Sequence, residues 1–258
     1  MQKRVRIVLK IEKPWKGEWI NNCIKKIPYN KSLGYAGYQS RDALKKFLRF
    51  SIFGSKQVLW KQPDEKELKK SIQSAIKCCK PILFKKLTIF VFPTVNEFIV
   101  KKMGGVSGFT PWKNVIVLNV YPGKQWKREV RNTVVHEASH AMMLNIQKPS
   151  TVMDDLVFEG IAEHVREELV SGGKTPWITA ISKKEAKDIF NEIKDKIGYQ
   201  NRKLSKDLFF GTGKYPLWAG YTIGYHLVEE YLKKTKKNWL EIMRQSSKKI
   251  VSQYRSKV

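Results

Sequence analysis

Val134-Val135-His136-Glu137-Ala138-Ser139-His140 is the stretch from which the rest of the chain is read, together with Phe158-Glu159-Gly160-Ile161-Ala162-Glu163-His164 further on. Side chains four apart on a helix share a face, so His136 and His140 can aim both imidazoles at one metal ion, with Glu137 beside the metal's open position. That layout suits a zinc ion used to activate water. A catalytic zinc takes three protein ligands and leaves one position for water, so a third ligand must come from elsewhere. Glu159 is the first choice. The 18 residues between it and His140 are enough to finish one helix, turn, and begin a second. Glu163 and His164 are also geometrically possible, whereas the metzincin alternative needs a histidine at position 146, where the chain has Ile146.

The stretch HExxH, eighteen residues, then Glu-Gly-x-Ala resembles the gluzincin clan of zinc peptidases. The run Glu159-Gly160-Ile161-Ala162-Glu163, with Gly105-Val106-Ser107-Gly108-Phe109-Thr110 before it and Trp218-Ala219-Gly220-Tyr221-Thr222-Ile223-Gly224-Tyr225 after it, is more closely similar to a small bacterial family of predicted Zn-dependent proteases. The likeness spans roughly residues 85 to 235. It implies a zincin-like α+β fold: a small mixed sheet with an edge strand over a zinc-binding helix, then a mainly helical C-terminal half. It favours Glu159 as third ligand beside His136 and His140, with Zn2+ as the cofactor.

By the same resemblance Glu137 is the general base, taking a proton from the attacking water and passing it to the departing amine. Glu163, one turn beyond Glu159, is expected to accept the N–H of a ligand histidine and so fix its tautomer, although the gluzincin pattern often has Asp there. A tyrosine or histidine beyond the third ligand donates to the developing oxyanion in that clan. Tyr221, 62 residues beyond Glu159, is the first choice for this role, with Tyr225 second and His226 on the same helix. The strand just before the zinc helix, residues 115 to 120, is expected to hold the substrate backbone. The aminopeptidases of the clan anchor a free amine with an upstream glutamate, but Gly104 to Thr110 carries no acid. An endopeptidase acting on a peptide or protein substrate is therefore expected over an aminopeptidase. The rival reading is a catalytically inactive, zinc-stabilised binding protein, for nucleic acid through its basic surface; the intact Glu137 argues against it, because a structural zinc needs no base.

Composition sets the remaining bounds. The 258 residues suffice for a sizeable core. The formal charge is +27, yet 40 of the 50 basic residues are Lys and they are spread along the chain. Arg suits bidentate recognition of bases and phosphates, and Lys is mainly a solvated point charge, so nonspecific polyanion binding is expected rather than specific reading of nucleic acid. No apolar run reaches membrane-spanning length, and the first ten residues break their apolar stretch with charge, so a cytoplasmic location is expected. Cys23, Cys78 and Cys79 make a poor disulfide framework and read as reduced thiols.

Along the chain, residues 4 to 11 read as a strand, 30 to 38 as a loop and 42 to 52 as a helix. Residues 1 to 60 form an N-terminal region that is a lid, a partner-binding unit or core, and 61 to 258 form the zincin-like domain. Pro63-Asp64-Glu65 opens a helix with Leu68, Ile72, Ile76 and Cys79 on one face, stopped by Pro81. Strands follow over 87 to 92 and 114 to 120, and helices over 126 to 144 and 154 to 170, the last ending at Gly172-Gly173. A capping box at Ser182 and Glu185 starts a helix running to about Gly198; another helix covers 218 to 234, and the tail from Trp239 is helical and basic.

Overall fold

The computed structural model describes residues 5–14, 18–27, 40–83, 85–171 and 173–254. The loop expected over 30 to 38 and the Gly172 helix stop lie outside them. The chain divides into two compact units, residues 1–145 and 146–258.

The first unit is built on a four-stranded open mixed sheet. Leu87–Pro93 (β2) is apolar at almost every position and buried on both faces, as an interior strand requires. Val5–Leu9 (β1) pairs parallel to one side of it, with Ile7 opposite Ile89, and Val115–Val120 (β4) pairs parallel to the other, with Val91 opposite Leu118. Val106–Trp112 (β3) runs antiparallel on the far side of β4, giving the order β1-β2-β4-β3. Successive strand residues face opposite ways. One face carries Phe90, Phe92, Phe109, Val115 and Val117 into a core completed by Glu18–Lys26 (α1) and Arg41–Phe53 (α2) through Ile20, Ile24, Leu44, Leu48 and Ile52. Val8 of β1 packs against this core. Against the opposite face lies Trp126–Met143 (α5), which also packs on Glu65–Cys78 (α3). Asn96 caps the short Glu97–Lys102 (α4).

The sheet order corrects one expectation. Residues 115 to 120 were to be the edge strand that meets a substrate, but β4 is paired on both sides and the edge beside it belongs to β3. Pro111 and the register shift between Phe109 and Trp112 suit an edge, where a missing N–H and a bulge interrupt no second ladder.

The second unit is helical. Thr151 and Asp154 form a capping box that starts Val152–Val170 (α6), and Ser182 and Glu185 form the one foreseen for Lys183–Ile193 (α7). That helix yields to a 3₁₀ turn, Lys194–Lys196, before reaching Gly198. Arg202–Phe210 (α8), Ala219–Leu232 (α9), Trp239–Met243 (α10) and Ser247–Val251 (α11) complete the unit. Its core gathers Leu156, Phe190, Ile193, Leu208, Ile223 and Leu227. The fold is α+β, as expected. Among the described residues no helix is long and apolar enough to cross a membrane. The three cysteines are free thiols, and burial pushes Cys23 and Cys79 up to about 12.

Candidate metal centre

α5 places the first part of the site. Val130, Val134 and Ala141 are fully buried and fix the helix on the sheet, which sets the facing of the residues between them. His136 and His140, four apart, bring their Nε2 atoms to 3.0 Å with the rings steeply inclined. Two ring nitrogens that close, on rings that converge instead of stacking, suit a shared cation: ligands bound to zinc at about 2.0–2.1 Å stand roughly 3.3 Å apart at a tetrahedral ion. Glu137 projects toward β3, where the Thr110 hydroxyl donates to its Oε2 at 2.8 Å and to its backbone oxygen at 3.1 Å. Gly108, two residues before Thr110 and on the same strand face, leaves the space that the Glu137 side chain takes.

His136, His140 and Glu159 form a group that could hold a metal: one ligand atom from each lies within 4.8 Å of the others. Two imidazoles and a carboxylate are a donor set zinc favours when it retains a water position. The residues present therefore fit the ion.

Glu159 stands on α6, and its neighbour Gly160 lies against the backbone of α9 at Gly224. Gly220 makes similar room for the Phe209 ring of α8. The paired glycines on α9 are thus helix-packing positions.

Glu163 is fully buried on α6. Arg166 Nε donates to its Oε2 at 3.0 Å, as does the Thr175 hydroxyl at 3.0 Å, while the Trp177 indole N–H donates to Oε1 at 2.8 Å. His164 stacks on the Tyr225 ring at 4.0 Å and hydrogen-bonds the Tyr225 carbonyl oxygen; burial lowers its pKa. The Tyr225 hydroxyl donates to Glu167 at 2.7 Å, and burial, then that bond, raises its pKa. Tyr221 lies a turn earlier on α9, partly exposed, edge-on to Phe209. His226 meets Glu229 through Nδ1.

Sequence reasoning passed over Thr110, Arg166, Thr175 and Trp177. The i,i+3 spacing of Glu163 and Arg166 on α6 was the available signal for Arg166; Thr110 depends on the register of a strand against a helix, and Thr175 and Trp177 follow the end of α6 on a course that no local pattern announces.

Residues 65–252 match the family described as predicted Zn-dependent protease (DUF2268), well over half of the chain, and the chain belongs to that family. It is also similar to YjfC, an uncharacterised protein of Bacillus subtilis (strain 168), at 26% identity over 165 residues, which cover 58% of this chain and 53% of that protein. The chain thus spans about half the length of that curated relative. No solved structure matches it.

Proposed function

We propose that the chain is a zinc-dependent peptidase of gluzincin type and zincin-like fold, cutting within peptide or protein chains by attack of water. The observation that carries this reading is the convergence of His136, His140 and Glu159 around one point, with Glu137 next to it in the sequence and clasped by β3. His136, His140 and Glu159 hold the ion. Zinc, when bound, lowers the pKa of water toward about 7 and polarises a carbonyl.

Glu137 takes the proton from the attacking water and returns it to the leaving amine. Tyr221 donates to the oxygen on which negative charge develops; the engagement of the Tyr225 hydroxyl with Glu167 supports Tyr221 over Tyr225. Glu163, itself braced by three donors, orients a ligand histidine. The substrate backbone adds to the edge of β3 as a further strand. The lack of an acid from Gly104 to Thr110 supports internal cleavage over trimming from a free amine.

The test is zinc per chain in purified protein, together with hydrolysis of fluorescein-labelled casein by the parent and by Glu137→Gln. One zinc in both proteins, and chelator-sensitive hydrolysis in the parent alone, is the expected result. Full hydrolysis by Glu137→Gln, or no zinc in folded parent after supplementation, overturns the reading.

A further inference from the structure

We infer that Thr110 is the positioning residue of Glu137: its hydroxyl, working with the space left by Gly108, sets the rotamer from which the carboxylate acts. The inference rests on reading Glu137 as the base.

Both residues are buried, at 6% exposure each, so bulk water does not compete for the bond between them. Thr110 Oγ1 lies 2.8 Å from Glu137 Oε2 and 3.1 Å from the Glu137 backbone oxygen. One hydroxyl is therefore seated against the head and the root of the same glutamate. A hydroxyl donating to a carboxylate makes one of the stronger neutral-to-ion hydrogen bonds, and holding Oε2 leaves the carboxylate a single orientation of its plane.

The stem is fixed by a different device. A Cβ on residue 108 would sit 2.6 Å from Glu137 Cγ, 3.0 Å from its Oε1 and 2.5 Å from Thr133 Cγ2. Any side chain there would drive the glutamate out of its place. No positive φ calls for glycine at 108, so the space itself is the reason for it. The strand is shaped to make the delivery: the register shift between Phe109 and Trp112 brackets Thr110, and a bulge of this kind re-aims the side chain it carries.

A hydroxyl that merely tied β3 to α5 could have met any group on the helix. This one meets the residue at which the proton must move, and an ångström of misplacement there reduces rate steeply.

Thr110→Val keeps shape and β-branching and removes the hydroxyl, while Thr110→Ser keeps the hydroxyl. Each full-length protein is assayed for zinc per chain, for kcat and KM on an internally quenched peptide taken from a casein site the parent cuts, and, metal-free, by crystallography. For Thr110→Val the expected result is unchanged zinc and KM, and kcat lower by about ten- to a hundredfold. Thr110→Ser returns to within about threefold of the parent, and the Glu137 carboxylate is displaced only in the Val protein. Parental kcat in Thr110→Val, or a Glu137 carboxylate unmoved in its metal-free crystal, overturns the inference. If the parent cuts no peptide, the reading of Glu137 as a base fails. The metal-free crystals then decide separately whether Thr110 places the carboxylate.

Discussion

Gly160 on α6 and Gly224 on α9 approach so closely that a Cβ on residue 160 would lie 2.2 Å from the Gly224 carbonyl oxygen, and one on residue 224 would lie 2.1 Å from the carbonyl oxygen of Leu156. Backbone meets backbone here, so no flexible side chain can give way. Alanine in a helix interior is ordinarily favoured over glycine by about 1 kcal/mol. Overpacking costs roughly 1–3 kcal/mol and more where nothing can shift. The clash wins, and Gly160→Ala should lose at least about 2 kcal/mol in urea unfolding. Gly198, with nothing within 4 Å, is the control, and Gly198→Ala should change little. Equal stabilities for the two variants would remove the packing argument for this glycine.

The three candidates for the third zinc ligand separate cleanly by metal content. On the proposed ligand set Glu159→Ala should lose most of the zinc, because two imidazoles and water would then be left to hold it. His164→Ala should retain it, since His164 is engaged by the ring and carbonyl of Tyr225. Glu163→Ala should weaken zinc by about ten- to a hundredfold, the usual effect of losing a residue that orients a ligand. Zinc measured after dialysis against a buffered series of chelators ranks the three, and a ranking led by His164 would sink the assignment.

What could be read in advance depended on how local the signal was. The HExxH pair and the capping box at Ser182 are set by spacing within one turn, and α7 starts where Ser182 stands; α6 begins at Val152, two residues ahead of the expected 154, because Thr151 and Asp154 cap it. The substrate-bearing edge was placed on β4 because that strand directly precedes the zinc helix. Yet Val115–Val120 is buried at every position, the mark of an interior strand, while Pro111 already pointed to β3 as the edge. α8 is missing from the elements expected along the chain, although Asn201 and Gly211 cap it and Leu204 and Leu208 share its inner face. The clasp of Thr110 on Glu137 needs the register of a sheet against a helix, which no local pattern contains.

Glu163 and Arg166 form a fully buried ion pair, and Nη1 and Nη2 of Arg166 have no hydrogen-bond partner among the described residues. Such a pair contributes little net stability, because desolvation offsets its attraction, but breaking it by removing one member costs about 3–5 kcal/mol. Arg166→Met should therefore destabilise by roughly 3 kcal/mol. The double variant Glu163→Gln, Arg166→Met should recover part of that loss, because it leaves no uncompensated charge. Additive losses in a double-mutant cycle would mean that the two residues act independently.

Glu229 gives the second unit an acid-sensitive contact. Burial pushes its carboxyl up, but hydrogen bonds from Lys183 and His226 and the charges of Lys183 and Lys233 outweigh that and bring its pKa down from 4.5 to about 2. The groups facing it are Lys183 on α7, His226, Glu230 and Lys233 on or next to α9, and Tyr254 beyond α11. A carboxyl depressed in the folded protein binds its proton more readily when unfolded, so its stabilisation is present above about pH 4.5 and is lost as pH falls through about 2. His226, lowered chiefly by burial, also loses stability on acidification, but from 6.5 downward, so the comparison belongs in a His226→Gln background. With a quarter of the side chain exposed, solvent screening reduces the effect to about 1–2 kcal/mol. Urea unfolding of that background with and without Glu229→Gln should differ by this amount at pH 7, and the gap should close between pH 5 and pH 2. A gap constant across that range would show that Glu229 acts through packing and not through its charge.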